Sequence, residues 1–171
     1  MDPVRKPTRL REYDYSSPGA YFITICTRDR RCILSDIPAP PDLTDASGRA
    51  VPRGQNVGEG LAPPAVILSP MGVLVETQLL LLPDRFPSLS MDRYVIMPNH
   101  VHLLLSLSGD VPGGASPSPT IPDMVGALKS QTSRLSGAAP LWQRSFYDHV
   151  VRNDTEYGRR TGHIPPNGNK E

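Results

Sequence analysis

The stretch that decides the fold is YVIMPNHVHLLLSL, residues 94–107. It predicts two apolar strands that meet at Pro98 and Asn99, a pair of residues typical of turns. Side chains alternate between the two faces of a strand, so His100 and His102 point the same way, about 6.5–7 Å apart along it. The intervening side chains would face the core: Val101, Leu103 and Leu105. Two imidazoles with this spacing can converge on one metal ion, although a half-buried edge strand with two solvated histidines has the same pattern.

The segments around this stretch complete an α+β pattern. Residues 19–27 (GAYFITICT) predict a strand with Tyr21, Ile23 and Ile25 on one face. Ser69 and Pro70 predict the start of a helix that ends at Pro83. Three further elements follow: a helix capped by Thr120 with Ile121, Met124, Val125, Leu128 and Leu135 on one side, a strand or loop at 141–152, and a last helix at 154–163. This order favours a largely antiparallel sheet with helices packed on it.

Length and composition predict one soluble domain spanning residues 1–171. The chain carries a net charge of only +1, which excludes a polybasic protein. Its 20 prolines and 14 glycines concentrate at 36–64 and 108–120, which we interpret as loops or insertions. The apolar runs are too short for a membrane span, and the polar first 30 residues predict no secretory signal. With only Cys26 and Cys32, a reducing cytoplasm is the expected location.

Four segments together resemble the REP-associated tyrosine transposases, which are single-tyrosine insertion-sequence transposases of the HUH class. These segments are RLREYDYSSPGAYFITICTRDR, YVIMPNHVHLLL, IPDMVGALKS and LWQRSFYDHVVRND, and they occur in the family's order. The resemblance implies a ferredoxin-like HUH domain that nicks single-stranded or hairpin DNA and transfers the strand during transposition. It also implies a divalent metal, Mg²⁺ or Mn²⁺, held by His100, His102 and Asn167, and a tyrosine that forms a 5′-phosphotyrosine intermediate.

The sequence departs from the family pattern at the expected nucleophile. The family has Tyr-Ile-x-x-Asn-Pro on its last helix, whereas this chain has His163, Ile164, Asn167 and Gly168 at the matching positions. Three alternatives follow: His163 attacks the phosphate itself, Tyr157 substitutes as the nucleophile, or the domain binds DNA hairpins without cutting them. Tyr157 lies six residues before position 163 and therefore points about 120° away from it on a helix. A histidine-triad hydrolase is disfavoured because Leu104 stands where that class needs a third histidine.

Basic and aromatic residues supply candidates for DNA contacts. The predicted phosphate-binding residues are Lys129, Arg134, Arg144 and Arg152, with His149, Arg159 and Arg160 as further candidates. Trp142, Phe146 and Tyr147 could stack on bases, as aromatic side chains do in single-strand binding. The basic arm at residues 5–11 could follow a hairpin stem. A homodimer is a further partner hypothesis, and no membrane partner is expected.

Overall fold

The main sheet of the protein has four antiparallel strands. The computed structural model describes residues 13–37, 66–109, 119–137 and 140–164. In chain order its elements are β1 (Gly19–Cys26), β2 (Ser35–Asp36), β3 (Ile67–Leu68), α1 (Pro70–Leu80), α2 (Leu82–Arg85), β4 (Leu89–Met97), β5 (His100–Leu107), α3 (Ile121–Ser136), β6 (Tyr147–Val151) and α4 (Asp154–His163). The sheet has the strand order β4-β5-β1-β6, and β2 pairs with β3 in a separate two-stranded sheet.

The connectivity of the sheet is that of a ferredoxin-like fold. Along the chain, β1, α1, β4, β5, α3 and β6 form the β-α-β-β-α-β series of that fold. All three neighbouring strand pairs are antiparallel. The predicted α+β, ferredoxin-like architecture with a largely antiparallel sheet is therefore confirmed.

The two faces of the sheet are covered differently. Tyr21, Ile23 and Ile25 on β1 point into the main core, as predicted, together with the alternate residues of β5. Helices α1 and α3 cover this face with their own buried residues, which include Val75, Leu79, Met124, Val125 and Leu128. On the opposite face a smaller cluster forms from Val95, Leu104 and Ile164, and α4 packs there through Tyr157. This second face carries His100 and His102.

Strands β4 and β5 form the hairpin that contains the two histidines, and the predicted turn joins these strands. Met97 pairs with His100, so Pro98 and Asn99 form the connection. The register shifts between Met91 and Arg93, which makes Asp92 the residue of a β-bulge.

Each long helix starts at a side-chain cap. Ser69 Oγ accepts a hydrogen bond from the amide of Gly72. Thr120 and Asp123 form a reciprocal capping box at α3, and Asn153 accepts from the amide of Glu156 at α4. The helix starts at Ser69 and Thr120 were predicted correctly.

Two details of the predicted helices are wrong. Helix α1 ends at Leu80 instead of Pro83, and Pro83 lies inside α2, where the amides of a first turn have no intrahelical partner and proline is tolerated. Leu135 is 53% exposed, because the buried stripe of α3 ends at Thr132. The Thr132 hydroxyl accepts a hydrogen bond from the Trp142 indole.

Several predictions lie wholly or largely outside the described residues. The proline- and glycine-rich segments at 36–64 and 108–120, the basic arm at 5–11 and the proposed ligand Asn167 belong to this group. In the part of the chain that the structure describes, no helix has both the length and the apolar character needed to cross a bilayer.

Candidate functional site

The site is built around the two histidines of β5. The alternation of that strand buries Val101, Leu103 and Leu105 in the main core, as predicted. His100 and His102 therefore share the opposite face, where their Nε2 atoms lie 3.1 Å apart and their ring centroids 4.5 Å apart. The two imidazoles thus lie together on one face of β5, as the alternation of the strand predicted, and their Nε2 atoms face each other at hydrogen-bonding distance.

Each ring is fixed by an oxygen on its outer nitrogen. His100 Nδ1 lies 2.7 Å from the side-chain oxygen of Asn99, and His102 Nδ1 lies 2.9 Å from the hydroxyl of Thr24. An amide oxygen can only accept, so His100 Nδ1 carries the proton and its Nε2 lone pair is directed at the neighbouring ring. Outer hydrogen bonds of this kind orient the histidine ligands of metal ions in proteins.

Both imidazoles are kept neutral by their surroundings. Burial lowers the pKa of His102 to about 4, with smaller contributions from the charges of His100 and Arg160. Burial also lowers the pKa of His100, and the Arg30 guanidinium acts in the same direction. At neutral pH each imidazole of the pair is therefore uncharged, which is the form that can ligate a metal.

The geometry of the pair fits a divalent metal ion. Two nitrogens bound about 2.1 Å from one ion, at about 90° to each other, lie about 3.0 Å apart, close to the 3.1 Å seen here. Among the described residues, no group of three or more His, Cys, Asp and Glu side chains could complete a metal site. Further ligands would come from an amide such as the predicted Asn167, from water or from a phosphate oxygen.

Helix α4 lies over the same face of the sheet and brings Arg160 to the pair. The Arg160 guanidinium carbon is 4.7 Å from the centroid of the Phe22 ring, and that ring is 5.2 Å from the ring of His102. Since Arg30 acts on His100 from the loop after β1, two guanidinium groups influence the histidine pair.

The hydroxyl of the fallback nucleophile Tyr157 interacts with Asp92. Burial raises the pKa of its hydroxyl, as do the charge of Asp92 and a hydrogen bond with it. Asp92 also accepts a hydrogen bond of 2.5 Å from Ser106, which is four residues beyond His102 on β5. The Tyr157 ring packs against the smaller cluster, which includes Leu104 and Val95, and Val95 pairs with His102. His163 is the last residue of α4, and its side chain lies outside the described part.

The predicted DNA-binding residues lie on α3 and on both sides of β6. The Lys129 ammonium donates to the backbone oxygens of Gln143, at 2.8 Å, and Ser145, which anchors α3 to the loop before β6. Arg134 is exposed and donates to Gln131, and Arg152 is exposed just after β6. Arg144 lines a cleft with Trp142. Their contacts with DNA stay predictions.

Of the three aromatic residues predicted to stack on bases, two lie in the core and one lies at the surface. Trp142 and Phe146 are 6% and 5% exposed and belong to the main core, so the prediction that they stack on bases is wrong. Tyr147 is 47% exposed and pairs with Thr24, which places it on the face of the histidines. It remains a candidate for stacking.

Sequence reasoning missed the roles of Thr24, Asn99 and Asp92. Thr24 pairs with His102 across β1 and β5, a contact between residues 78 positions apart. The position of Asn99 directly before His100 was visible, but its contact with the ring depends on the conformation of the turn. Arg160 was seen only as a general cation, because nothing local indicates that it lies near His102.

Comparison with known proteins supports the fold. No family model matches the chain. The solved structure of a REP-associated tyrosine transposase bound to a REP hairpin is similar, with a TM-score of 0.56 and 18% identity over 91% of this chain and 69% of that one. The chain therefore has the fold of that transposase.

Two other comparisons add no functional information. An uncharacterised protein of Haemophilus influenzae is 26% identical in an alignment that covers 90% of this chain and 82% of that protein. A candidate transposase structure from Deinococcus radiodurans R1 has 21% identity over 91% of this chain and 94% of that one. Its TM-score of 0.42 is too low for an argument.

Proposed function

We propose that this protein is a transposase-type HUH domain that binds hairpin or single-stranded DNA and holds one of its phosphates beside His100 and His102. The observation that carries the proposal is the convergence of the two Nε2 atoms, each on a ring whose outer nitrogen is already bound. The fold shared with a REP-associated tyrosine transposase, together with the sequence motifs, supports the choice of DNA as the ligand.

The metal at this pair would be Mn²⁺ or Mg²⁺. When bound, such an ion supplies a positive charge that polarises a phosphate oxygen. His100 and His102 would each give an Nε2 lone pair, while Asn99 and Thr24 hold the rings. Two imidazoles suit Mn²⁺ better than the harder Mg²⁺, and weak binding of either is expected from so small a ligand set.

The surroundings of the pair suit a nucleic-acid strand. Arg30 and Arg160 supply positive charge near the histidines, and guanidinium groups bind phosphates with two parallel hydrogen bonds. Tyr147 offers an exposed ring on the same face, level with Thr24. Cations that follow the backbone, combined with aromatic side chains that stack on bases, are typical of single-strand binding.

Strand cleavage and transfer through a phosphotyrosine would require a tyrosine hydroxyl beside the pair. The hydroxyl of Tyr157 is engaged by Asp92, and the sequence has His163 at the family's tyrosine position. The second candidate function, hairpin binding without cutting, is therefore favoured for the chain as it stands.

Two gel experiments use a labelled DNA hairpin that carries single-stranded flanks. Band-shift gels test metal-dependent DNA binding, and denaturing gels test whether the DNA is cut. We expect Mn²⁺ to strengthen the shift, and His100→Ala with His102→Ala to abolish that effect. Thr77→Val, an exposed substitution on α1 outside the pair, serves as the control. No covalent adduct should survive denaturation.

Two results would contradict the proposal. An identical response to Mn²⁺ in wild type and in the double variant would remove the metal site. An adduct that forms with the unmodified protein and is lost in Tyr157→Phe would make Tyr157 the nucleophile.

A further inference from the structure

A separate cleft opens where β1 ends, beside the loop that precedes β6. Its volume is about 650 Å³, within the range of small-molecule binding sites. Its walls come from the segment after β1 and from the loop before β6: Arg28, Asp29, Pro140, Trp142, Gln143 and Arg144.

Backbone hydrogen bonds join the two walls of the cleft. The amide of Arg28 donates to the oxygen of Leu141 at 2.9 Å, and the amide of Gln143 donates to the oxygen of Cys26 at 3.0 Å. Thr27 and Trp142 form an isolated antiparallel bridge between these two contacts. Lys129 holds the far side of the loop through the oxygen of Gln143. The cleft is therefore preformed by main-chain contacts.

Strained backbone occurs on both sides of the cleft. Asp29 and Arg30 have φ values of 55° and 53°, and Ser145, next to Arg144, has φ of 63°. Non-glycine residues adopt these left-handed conformations at a cost, and such positions cluster at binding sites. Asp29 lines the cleft, and Arg30 and Ser145 are each next in sequence to a lining residue.

The side chains of the cleft match the groups of a nucleotide. Arg28 and Arg144 place a guanidinium group on each wall, and guanidinium groups are well suited to phosphate. Arg28 also lies 3.5 Å from the exposed carboxylate of Asp29, which keeps the site from being purely cationic. The side-chain amide of Gln143 can both donate hydrogen bonds to the edge of an unpaired base and accept them from it.

Hydrogen bonds link the backbone beside the cleft to the strand end that carries the histidine pair. Cys26 pairs directly with His100, and the same Cys26 accepts the hydrogen bond from Gln143. The amide of Thr27 donates to the oxygen of Asn99, whose side chain holds His100. The cleft and the histidine pair therefore lie at the same end of β1.

We propose that this cleft binds an unpaired nucleotide of the DNA strand, with its phosphate between Arg28 and Arg144 and its base at Gln143. The proposal rests on the proposed function, because it extends the path of the same strand. Gln143 would then be a residue that discriminates between bases.

The single tryptophan of the chain provides a direct test, since Trp142 lines the cleft. We expect the tetranucleotide dA4 to change the tryptophan fluorescence of the wild-type protein. Arg28→Gln with Arg144→Gln should weaken its binding at least about tenfold, because two charge-assisted hydrogen-bonding groups are lost. Arg85→Gln, which removes the same charge outside the cleft, should bind like wild type. Gln143→Leu should reduce the differences in affinity among dA4, dC4 and dT4.

A blunt hairpin whose loop is replaced by a non-nucleotide linker, and which therefore has no unpaired nucleotides, separates this proposal from the proposed function. Its affinity should fall less than that of dA4 in the Arg28/Arg144 double variant, because it places nothing in the cleft. If dA4 leaves the fluorescence unchanged, or binds the double variant as tightly as wild type, the cleft is not a nucleotide site. Failure of wild type to bind any hairpin would instead overturn the proposed function, and the dA4 titration would still decide the role of the cleft.

Discussion

At the scale of single residues, Thr24 links the sheet to the chemistry of the site. Its hydroxyl holds His102 from the neighbouring strand β1, so the pairing of β1 with β5 also sets the orientation of the ring. His100 is oriented differently, by Asn99 within the turn of its own hairpin. The two rings therefore depend on separate parts of the fold.

Replacing Thr24 with valine tests this dependence. Valine keeps the shape of the side chain but removes the hydroxyl, so we expect the affinity for Mn²⁺ to fall about 10-fold or more, as is usual when a ligand's outer hydrogen bond is lost. Calorimetry with Mn²⁺ measures the change. Thr77→Val, an exposed substitution on α1, is the matched control. If the two variants bind Mn²⁺ equally well, the hydroxyl of Thr24 does not support the site.

The lowered pKa of His102 predicts a pH dependence of the metal-free protein. Below about pH 6.5 the unfolded chain takes up a proton on this histidine, whereas the folded protein does so only near its pKa of about 4. The unfolded state binds more protons in this window, so stability should fall as the pH decreases from about 6.5 to about 4 and level off below. Urea unfolding at several pH values measures it. His102→Gln should show a shallower decline, and an equal decline would assign the effect to other groups.

At the scale of elements, α4 is fixed to the sheet by contacts along its length. Its first turn is held by Glu156, which bonds His149 on β6. Its middle contacts Asp92 through Tyr157, and Arg93 donates to the backbone oxygen of Thr161 at 3.3 Å. Ile164, directly after the helix, is fully buried. The helix is thus seated on the histidine face by the bulged part of β4 as well as by β6.

We expect Tyr157→Phe to loosen this helix without affecting metal binding. The variant removes one partly buried hydrogen bond and should reduce the free energy of unfolding by about 1 kcal/mol. Hydrogen exchange should become faster in α4 and stay unchanged in α1, since only α4 loses a contact. Urea unfolding and exchange mass spectrometry test these two effects. An unchanged exchange rate in α4 would show that the phenol does not hold the helix.

The elements were predicted well where the signal was local. The alternation of 94–107, the caps at Ser69 and Thr120 and the last helix at 154–163 all gave correct elements. Errors arose where tertiary contacts decide the outcome: Pro83 enters a second helix, and Leu135 is exposed after the buried stripe. Trp142 was misplaced because an aromatic residue near basic residues has the same pattern in a core and on a binding surface. The histidine pair was predictable, but Thr24 became visible only through the register of two distant strands.

At the scale of the whole molecule, the fold separates stability from binding. The face covered by α1 and α3 contains the main core, whereas the face under α4 carries the histidine pair and the smaller cluster. With a net charge of +1, the proposed attraction to DNA would come from the local placement of cations rather than from the charge of the whole chain.

A graft tests whether this scaffold can support cleavage. Replacing residues 163–168 with a Tyr-Ile-x-x-Asn-Pro sequence restores the family's tyrosine and its surroundings, and we expect a covalent adduct with the flanked hairpin in Mn²⁺. His163→Tyr alone should give little adduct, because the prolines at 165 and 166 disfavour helix and a misplacement near 1 Å can cost about 100-fold in rate. Denaturing gels detect the adduct, and adding His100→Ala to the graft should abolish it. A grafted protein that binds DNA but forms no adduct would show that cleavage requires more than a tyrosine at position 163.

The bulge at Asp92 also has a consequence for how the protein behaves at high concentration. Among the described strands, β4 lies at an edge of the sheet, where an unbroken row of backbone groups would invite another molecule to add a strand. The extra residue interrupts that row, and the charges of Asp92 and Arg93 sit at the interruption. The residue that engages Tyr157 on α4 therefore also makes this edge a poor template for aggregation.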